Sequence, residues 1–295
     1  MSGYEDEADI EASRAPLLDH LIELRKRLII CVVVVAVGFG LCFGFSQQIY
    51  IFLLQPFQAA ADLMAAQKAA GGHHGAFDLL LALLGLKDMP QTAPQDLKLV
   101  FTGPLEFFFA KMRLAGFGAV VLTFPVLAWQ LYRFVAPGLY RKERRAFLPF
   151  LFASPVLFLL GGALVYFIIL PFVLWFSLTQ QITGVGNISV ELLPKVSEYL
   201  TLVTTLLLAF GLCFQLPVVL SLLGLAGLVS SEQLRSMRRY AIVGLAVVAA
   251  VVTPPDIISM MSLVLPLVLL YEVSIWCVWL IERRRRREDE AAAAG

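Results

Sequence analysis

From Leu28 to Phe45 the chain runs without one charged residue, and that run limits what it can fold into more than any other feature it has. As an α-helix rising about 1.5 Å per residue it would be about 27 Å long, close to the hydrocarbon thickness of a bilayer. A backbone in lipid has to satisfy its own polar groups, so such a segment crosses as a helix. Five more apolar segments follow, at Phe107 to Phe134, Phe147 to Phe176, Tyr199 to Leu228, Tyr240 to Val252 and Leu263 to Ile281. With 59% hydrophobic and only 15% charged residues, the chain is excluded from the water-soluble globules and is predicted to be an all-α membrane protein of six spans. Pro149, Pro155 and Pro171, in or at the ends of the third span, each remove a backbone bond and bend the axis. The fifth segment, about 20 Å of helix, is too short to cross an average bilayer. It ends at the turn Thr253-Pro254-Pro255-Asp256.

The side on which each loop lies follows from its charge. Arg25-Lys26-Arg27, Arg141 to Arg145, Arg235 to Arg239 and Arg283 to Arg287 all fall on one side of a six-span path, which predicts that both termini are cytoplasmic. In the long connection from Ser46 to Gly103, Lys68, Lys87 and Lys98 are balanced by Asp62, Asp78, Asp88 and Asp96, so this reads as an outside loop. The expected organisation is a flexible acidic tail over 1–16, one membrane domain over 17–283 and a disordered tail over 284–295. The N-terminus lacks the basic start and small-residue cleavage site of a signal peptide, so the first span is expected to be retained. The five arginines at 283–287 are expected to anchor the last helix at anionic lipid rather than bind nucleic acid. Cys31, Cys42, Cys213 and Cys277 lie in apolar runs without metal spacing, and His73-His74 lacks further ligands, so neither a metal nor a cofactor is expected.

Candidate functional residues are the polar groups in awkward places. Just before the first span, Leu18, Leu21, Leu24 and Leu28 recur at helical spacing, predicting an amphipathic helix at the membrane surface. Glu23 sits among bases there, and its simplest role is an ion pair with Arg27 four residues on. Glu143 occupies a second basic segment, where Arg141, Arg144 or Arg145 could neutralise it. Glu272 lies about eleven residues from Arg283, roughly 16 Å of helix, which puts it near mid-membrane as either a structural lock or a functional contact. Gln215, beside Pro217, reads first as an interhelical hydrogen bond. No metalloprotease, serine-hydrolase or phosphate-loop pattern occurs, which argues against an enzyme. The main alternative is a secondary transporter or channel for a small solute, a class that predicts internal repeats with broken helices at mid-membrane. No similarity between the two halves of the chain supports it.

Three separated segments resemble the signatures of the TatC family, the polytopic receptors of the twin-arginine protein translocase. They are His20 to Leu28 (HLIELRKRL), Phe134 to Arg145 (FVAPGLYRKERR) and Thr253 to Asp256 (TPPD). The resemblance runs from about Leu17 to Arg283 and implies six helices curved into a cup that binds Arg-Arg signal peptides of folded proteins on the cytoplasmic face, with the proton gradient as energy source. By motif, it implies that Glu23 and Glu143 are recognition acids with Arg25 and Phe134 beside them, and that Pro56, Pro125 and Asp256 are functional positions. It also implies single-span TatA- and TatB-type partners, self-association in a receptor complex and a bacterial inner-membrane location. Two acids from separate helices could read two adjacent arginines at once, because the guanidinium fork matches a carboxylate. Three departures stand out. The outside loop is longer than the family pattern over Ala59 to Gln95. Met260 replaces a frequent Gln. The polar residue that relatives carry on the concave face has only Gln180 or Gln181 as a candidate here. For partner docking, the short fifth span with Glu272 or Gln215 nearby is the expected edge.

Overall fold

The computed structural model describes residues 3–69, 99–135, 148–185, 188–190, 194–252 and 257–293. Helix α1 (Gly3–Gly44) is followed at once by α2 (Ser46–Ala69), and α3 (Glu106–Val135) returns across the sheet of helices. Next come α4 (Leu148–Leu164), a π-helical turn at Val165–Ile169 and α5 (Leu170–Thr179). A two-stranded antiparallel hairpin, β1 (Ile182–Val185) and β2 (Ile188–Val190), leads to α6 (Val196–Cys213) and α7 (Leu216–Leu225). The last helices are α8 (Ser231–Ser236), α9 (Arg238–Val252) and α10 (Ile257–Ala293). Among the described residues, five stretches are long and apolar enough to cross a membrane: Leu21–Gly44, Glu106–Phe134, Pro149–Thr179, Val196–Leu225 and Met260–Arg287. Large apolar side chains such as Val32, Phe152, Phe167, Val251 and Trp276 stand exposed, as expected where the solvent is lipid.

α1 packs along α3, and glycine makes the approach close. A Cβ built on Gly38 would lie 2.8 Å from Thr123 Cγ2, and one on Gly118 would lie 2.9 Å from Cys42 Sγ. Any larger residue at either place would push the two helices apart. The core proper lies deeper in the chain, where Leu53, Phe57 and Ala60 of α2 meet Leu170 and Val173 of α5 and Leu200, Val203 and Phe210 of α6.

Three sequence expectations change in the structure. The segment after Ser46 is not loop at its start: α2 runs to Ala69, and Leu53, Phe57, Ala60, Ala61 and Ala65 form a buried stripe at helical spacing. The stretch at 18–28 is not a separate surface helix but the start of α1, and its apolar face is turned outward, with Leu21, Leu24 and Leu28 exposed. Next to lipid, the leucines face the solvent that suits them and the polar side turns to the protein. Finally, α9 is lengthened by α8. Ser231 N–H donates to Glu282 Oε1 (2.9 Å), Tyr271 O–H to the Leu234 carbonyl (2.9 Å) and Arg238 Nη2 to Glu272 Oε2 (2.7 Å). The chain from 231 therefore runs antiparallel along α10 well before Tyr240.

Prolines set where the helices bend, and hydroxyls repair what the prolines break. Pro56 lies buried inside α2 and cannot donate to the Phe52 carbonyl one turn back. Tyr166, from the π-helical turn, places its hydroxyl 2.6 Å from that carbonyl and 2.9 Å from Gln55 Oε1, with its ring stacked on Phe52 at 4.5 Å. Tyr199 of α6 donates to the next carbonyl, Leu53 O. At the start of α3, Glu106 accepts from Thr102 N (2.8 Å), Gly103 N (3.3 Å) and Ser197 N (3.3 Å), tying the starts of α3 and α6 together. Tyr166→Phe is expected to leave the Phe52 carbonyl bare and cost about 1 kcal/mol. Thermal unfolding in detergent checks this: the midpoint should fall relative to parent and to the exposed control Tyr240→Phe, and an unchanged midpoint would refute the repair role.

Candidate polar site between α1 and α3

The polar face of α1 comes to rest on α3. Glu23 and Arg27, four residues apart, lie on one side of the helix, and Arg27 Nε donates to Glu23 Oε1 at 3.1 Å while Nη2 donates to the same oxygen. Arg27 Nη1 reaches 3.3 Å to Oε1 of Gln130, which is buried on α3. One helical turn further, on the same face of α3, Phe134 is half-buried. Arg25 points away from this contact and is exposed. Carboxylate, guanidinium, carboxamide and aromatic ring are thus gathered where two spans meet, at the end carrying Arg25, Lys26 and Arg133. A carboxylate in such a place suits a planar cationic group and offers no nucleophile or proton relay.

The structure spreads the remaining candidates over other regions. Glu143 and Asp256, like His73 and His74, lie outside the described residues. Pro56 sits in the α2 bend already described, and Pro125 lies exposed inside α3. Gln180 and Gln181 stand past the end of α5, in the turn toward the hairpin, with Gln180 exposed and Gln181 half-buried. Gln215 occupies the break between α6 and α7, where Pro217 prevents a continuous ladder. Its carboxamide accepts from Ser154 Oγ (2.6 Å) and donates to the Ser154 carbonyl (3.0 Å), an interhelical pair with α4. Glu272 is paired with Arg238 and lies level with the start of α9, so its neighbour is a cation of the same chain. Met260 is half-buried near the start of α10, against the apolar core. Among the described residues, no cluster of three His, Cys, Asp or Glu side chains could hold a metal.

Gln130 is the member of the site that sequence reasoning passed over. Its signal was present: an amide in an otherwise apolar span, four residues before Phe134 and so on the same helical face. Glu106, at the start of α3, is a structural tie.

Comparison with known proteins places this geometry. The sequence family described as Sec-independent protein translocase protein (TatC) matches residues 19–266. The Sec-independent protein translocase protein TatC of Magnetococcus marinus is 41% identical over 276 residues, covering 94% of this chain and 88% of that protein. The protein of the same name from Aquifex aeolicus is 33% identical over 271 residues, 91% of this chain and 97% of its own. A crystal structure of the twin arginine translocase receptor TatC superposes with a TM-score of 0.67 at 31% identity, covering 89% of this chain and 99% of the other. A second, of the same receptor in DDM, gives 0.68 at 32% identity and covers 87% and 98%.

Proposed function

The chain belongs to the TatC family and is a receptor and core component of the twin-arginine protein translocase, and from that premise we propose that Glu23 and Glu143 together bind the paired arginines of signal peptides on the cytoplasmic face of a bacterial inner membrane. The observation that carries this is Glu23 itself: a carboxylate at the inner end of α1, held against α3, already engaging a guanidinium. Glu143 follows α3 in sequence by fewer than ten residues from its end at Val135, so the loop that carries it starts at the same polar corner. Arg25 and Phe134 flank the acids, Arg25 as a surface cation and Phe134 as an apolar wall for the peptide. Export of folded cargo is driven by the proton gradient.

The membrane path has six crossings with both termini cytoplasmic, bent by their prolines into a cup. What supports the sixth crossing is the joined length of α8 and α9. Residues 231–252 amount to about 33 Å of helix, enough for a bilayer core of about 30 Å. The hydrogen bonds that lay 231–238 along α10 support the same path. Single-span TatA- and TatB-type subunits dock at the α9–α10 edge, where Val243, Val247, Val251, Leu265 and Leu269 are exposed, and copies of the receptor associate through lipid-exposed faces. Pro125, Met260 and Asp256 serve this architecture.

Three measurements test these proposals. Glu23→Ala and Glu143→Ala should each weaken binding of a twin-arginine peptide to the purified protein by about 2 kcal/mol, about 30-fold, with Asp losing less than Ala. Parent-like affinity in the double variant would remove the recognition role. In a background without native cysteines, a cysteine at Gln180 should react with an impermeant thiol reagent from outside and one at Glu232 only after lysis, and the reverse pattern would invert the topology. A photoreactive residue at Val247 should capture a single-span subunit more efficiently than one at Val33 on α1, and equal capture would abolish the preference for the α9–α10 edge.

A further inference from the structure

The acid proposed to receive a signal arginine is occupied before any signal arrives. Arg27 turns two of its N–H groups on one oxygen of Glu23, Oε1. Among the described residues nothing donates to Oε2. An incoming guanidinium that is to make the parallel two-bond pair with a carboxylate needs both oxygens, so it has to take Oε1 from Arg27. The structure also shows where Arg27 can go. Its third N–H group is already 3.3 Å from Gln130 Oε1, and Gln130 is buried on α3, held in place by the α1–α3 contact. Arg27 thus bridges a charged acceptor that the signal would use and a neutral acceptor that the signal would leave vacant.

We propose that Arg27 is the resident occupant of Glu23, that a signal arginine binds by exchange with it, and that Gln130 receives the displaced guanidinium. This deepens the assignment of Glu23 as a recognition acid and rests on it. A side chain on the same helix turn is present at high effective concentration, so it competes with every ligand and lowers affinity at no cost in new structure. The same competition shortens the bound state, because Arg27 stands ready to retake Oε1 when the signal loosens. A receptor that has to pass its cargo onward gains release from such a device, and its empty acid is kept from binding stray cations at the membrane boundary. Gln130 sets how easily the exchange runs: without an acceptor on α3, the displaced guanidinium would be left unpaired between two helices.

Binding of a fluorescent twin-arginine signal peptide to the intact protein in lipid nanodiscs, with equilibrium and dissociation rate both recorded, tests this. Arg27→Gln is expected to bind about three- to fivefold tighter, the strength of a half-buried i, i+4 ion pair, and to release the peptide more slowly. A role of Arg27 in merely holding α1 to α3 predicts the opposite sign, so unchanged or weaker binding by Arg27→Gln at parent melting temperature overturns the exchange. If Arg27→Gln lowers the melting temperature, Gln130→Leu carries the test: it should bind more weakly than parent, and unchanged or tighter binding overturns the proposal. Glu23→Gln, measured alongside, separates the two layers. Loss of binding in Glu23→Gln with no gain in Arg27→Gln defeats the exchange alone, whereas parent-like binding in Glu23→Gln defeats the recognition role on which it rests.

Discussion

In hydrocarbon there is no water to satisfy a broken backbone hydrogen bond, and the arrangement of this protein depends on that constraint more than on any apolar contact. Apolar packing gives little direction between helices when the surrounding lipid is equally apolar. Direction comes instead from the places where the helical ladder fails and another helix completes it. Pro56 opens α2, and the hydroxyls of Tyr166 and Tyr199 close it, which fixes α2 against both the π-helical turn and α6. Pro217 opens the line of α6 and α7, and Gln215 turns from that break to Ser154 on α4. At the outer rim Glu106 joins the starts of α3 and α6. These three repairs hold the central helices in register.

The same constraint explains the inner end of α1. This helix touches little besides α3 and α2, and most of its surface is lipid-facing. Two close glycine approaches let it lie near α3, and the polar contact of Glu23 and Arg27 with Gln130 marks the end of that seam. The cluster is half-exposed on the Glu23 side and braced by the buried amide of Gln130 on the other. That combination suits a receptor for short cationic peptides: it is rigid enough to orient a carboxylate and open enough to exchange its ligand.

Five long spans were legible in the sequence because lipid demands unbroken apolar length, a signal that tertiary contacts do not alter. α2 was not, since Pro56 and the polar residues around it hid a buried stripe that only becomes visible once Leu53, Phe57 and Ala60 are read as one face. The continuity of α1 was missed for a related reason: the leucine stripe at 18–28 reads as a helix lying at the membrane surface, whereas Leu21, Leu24 and Leu28 face out from the same helix that forms the first span. The Ser230-capped helix could be read from the sequence as a piece between spans, but that it extends α9 shows only once Arg238 is seen paired with Glu272. At the candidate site, the motif resemblance drew attention to Glu23 and Phe134 but not to Gln130, because an amide's role depends on the helix it faces.

The claim on which the functional account rests is that a twin-arginine peptide sits at the inner ends of α1 and α3. The most direct measurement is a crosslink map made with a signal peptide bearing a photoreactive residue immediately after its Arg-Arg pair, bound to the intact protein in lipid and read by mass spectrometry. The account predicts adducts concentrated on residues 20–27 of α1, 130–134 of α3 and the loop that carries Glu143, and reduced by Glu23→Gln. Adducts centred on the α6–α7 break around Gln215, or on the outer turn at Gln180 and Gln181, and unaffected by Glu23→Gln, would contradict it.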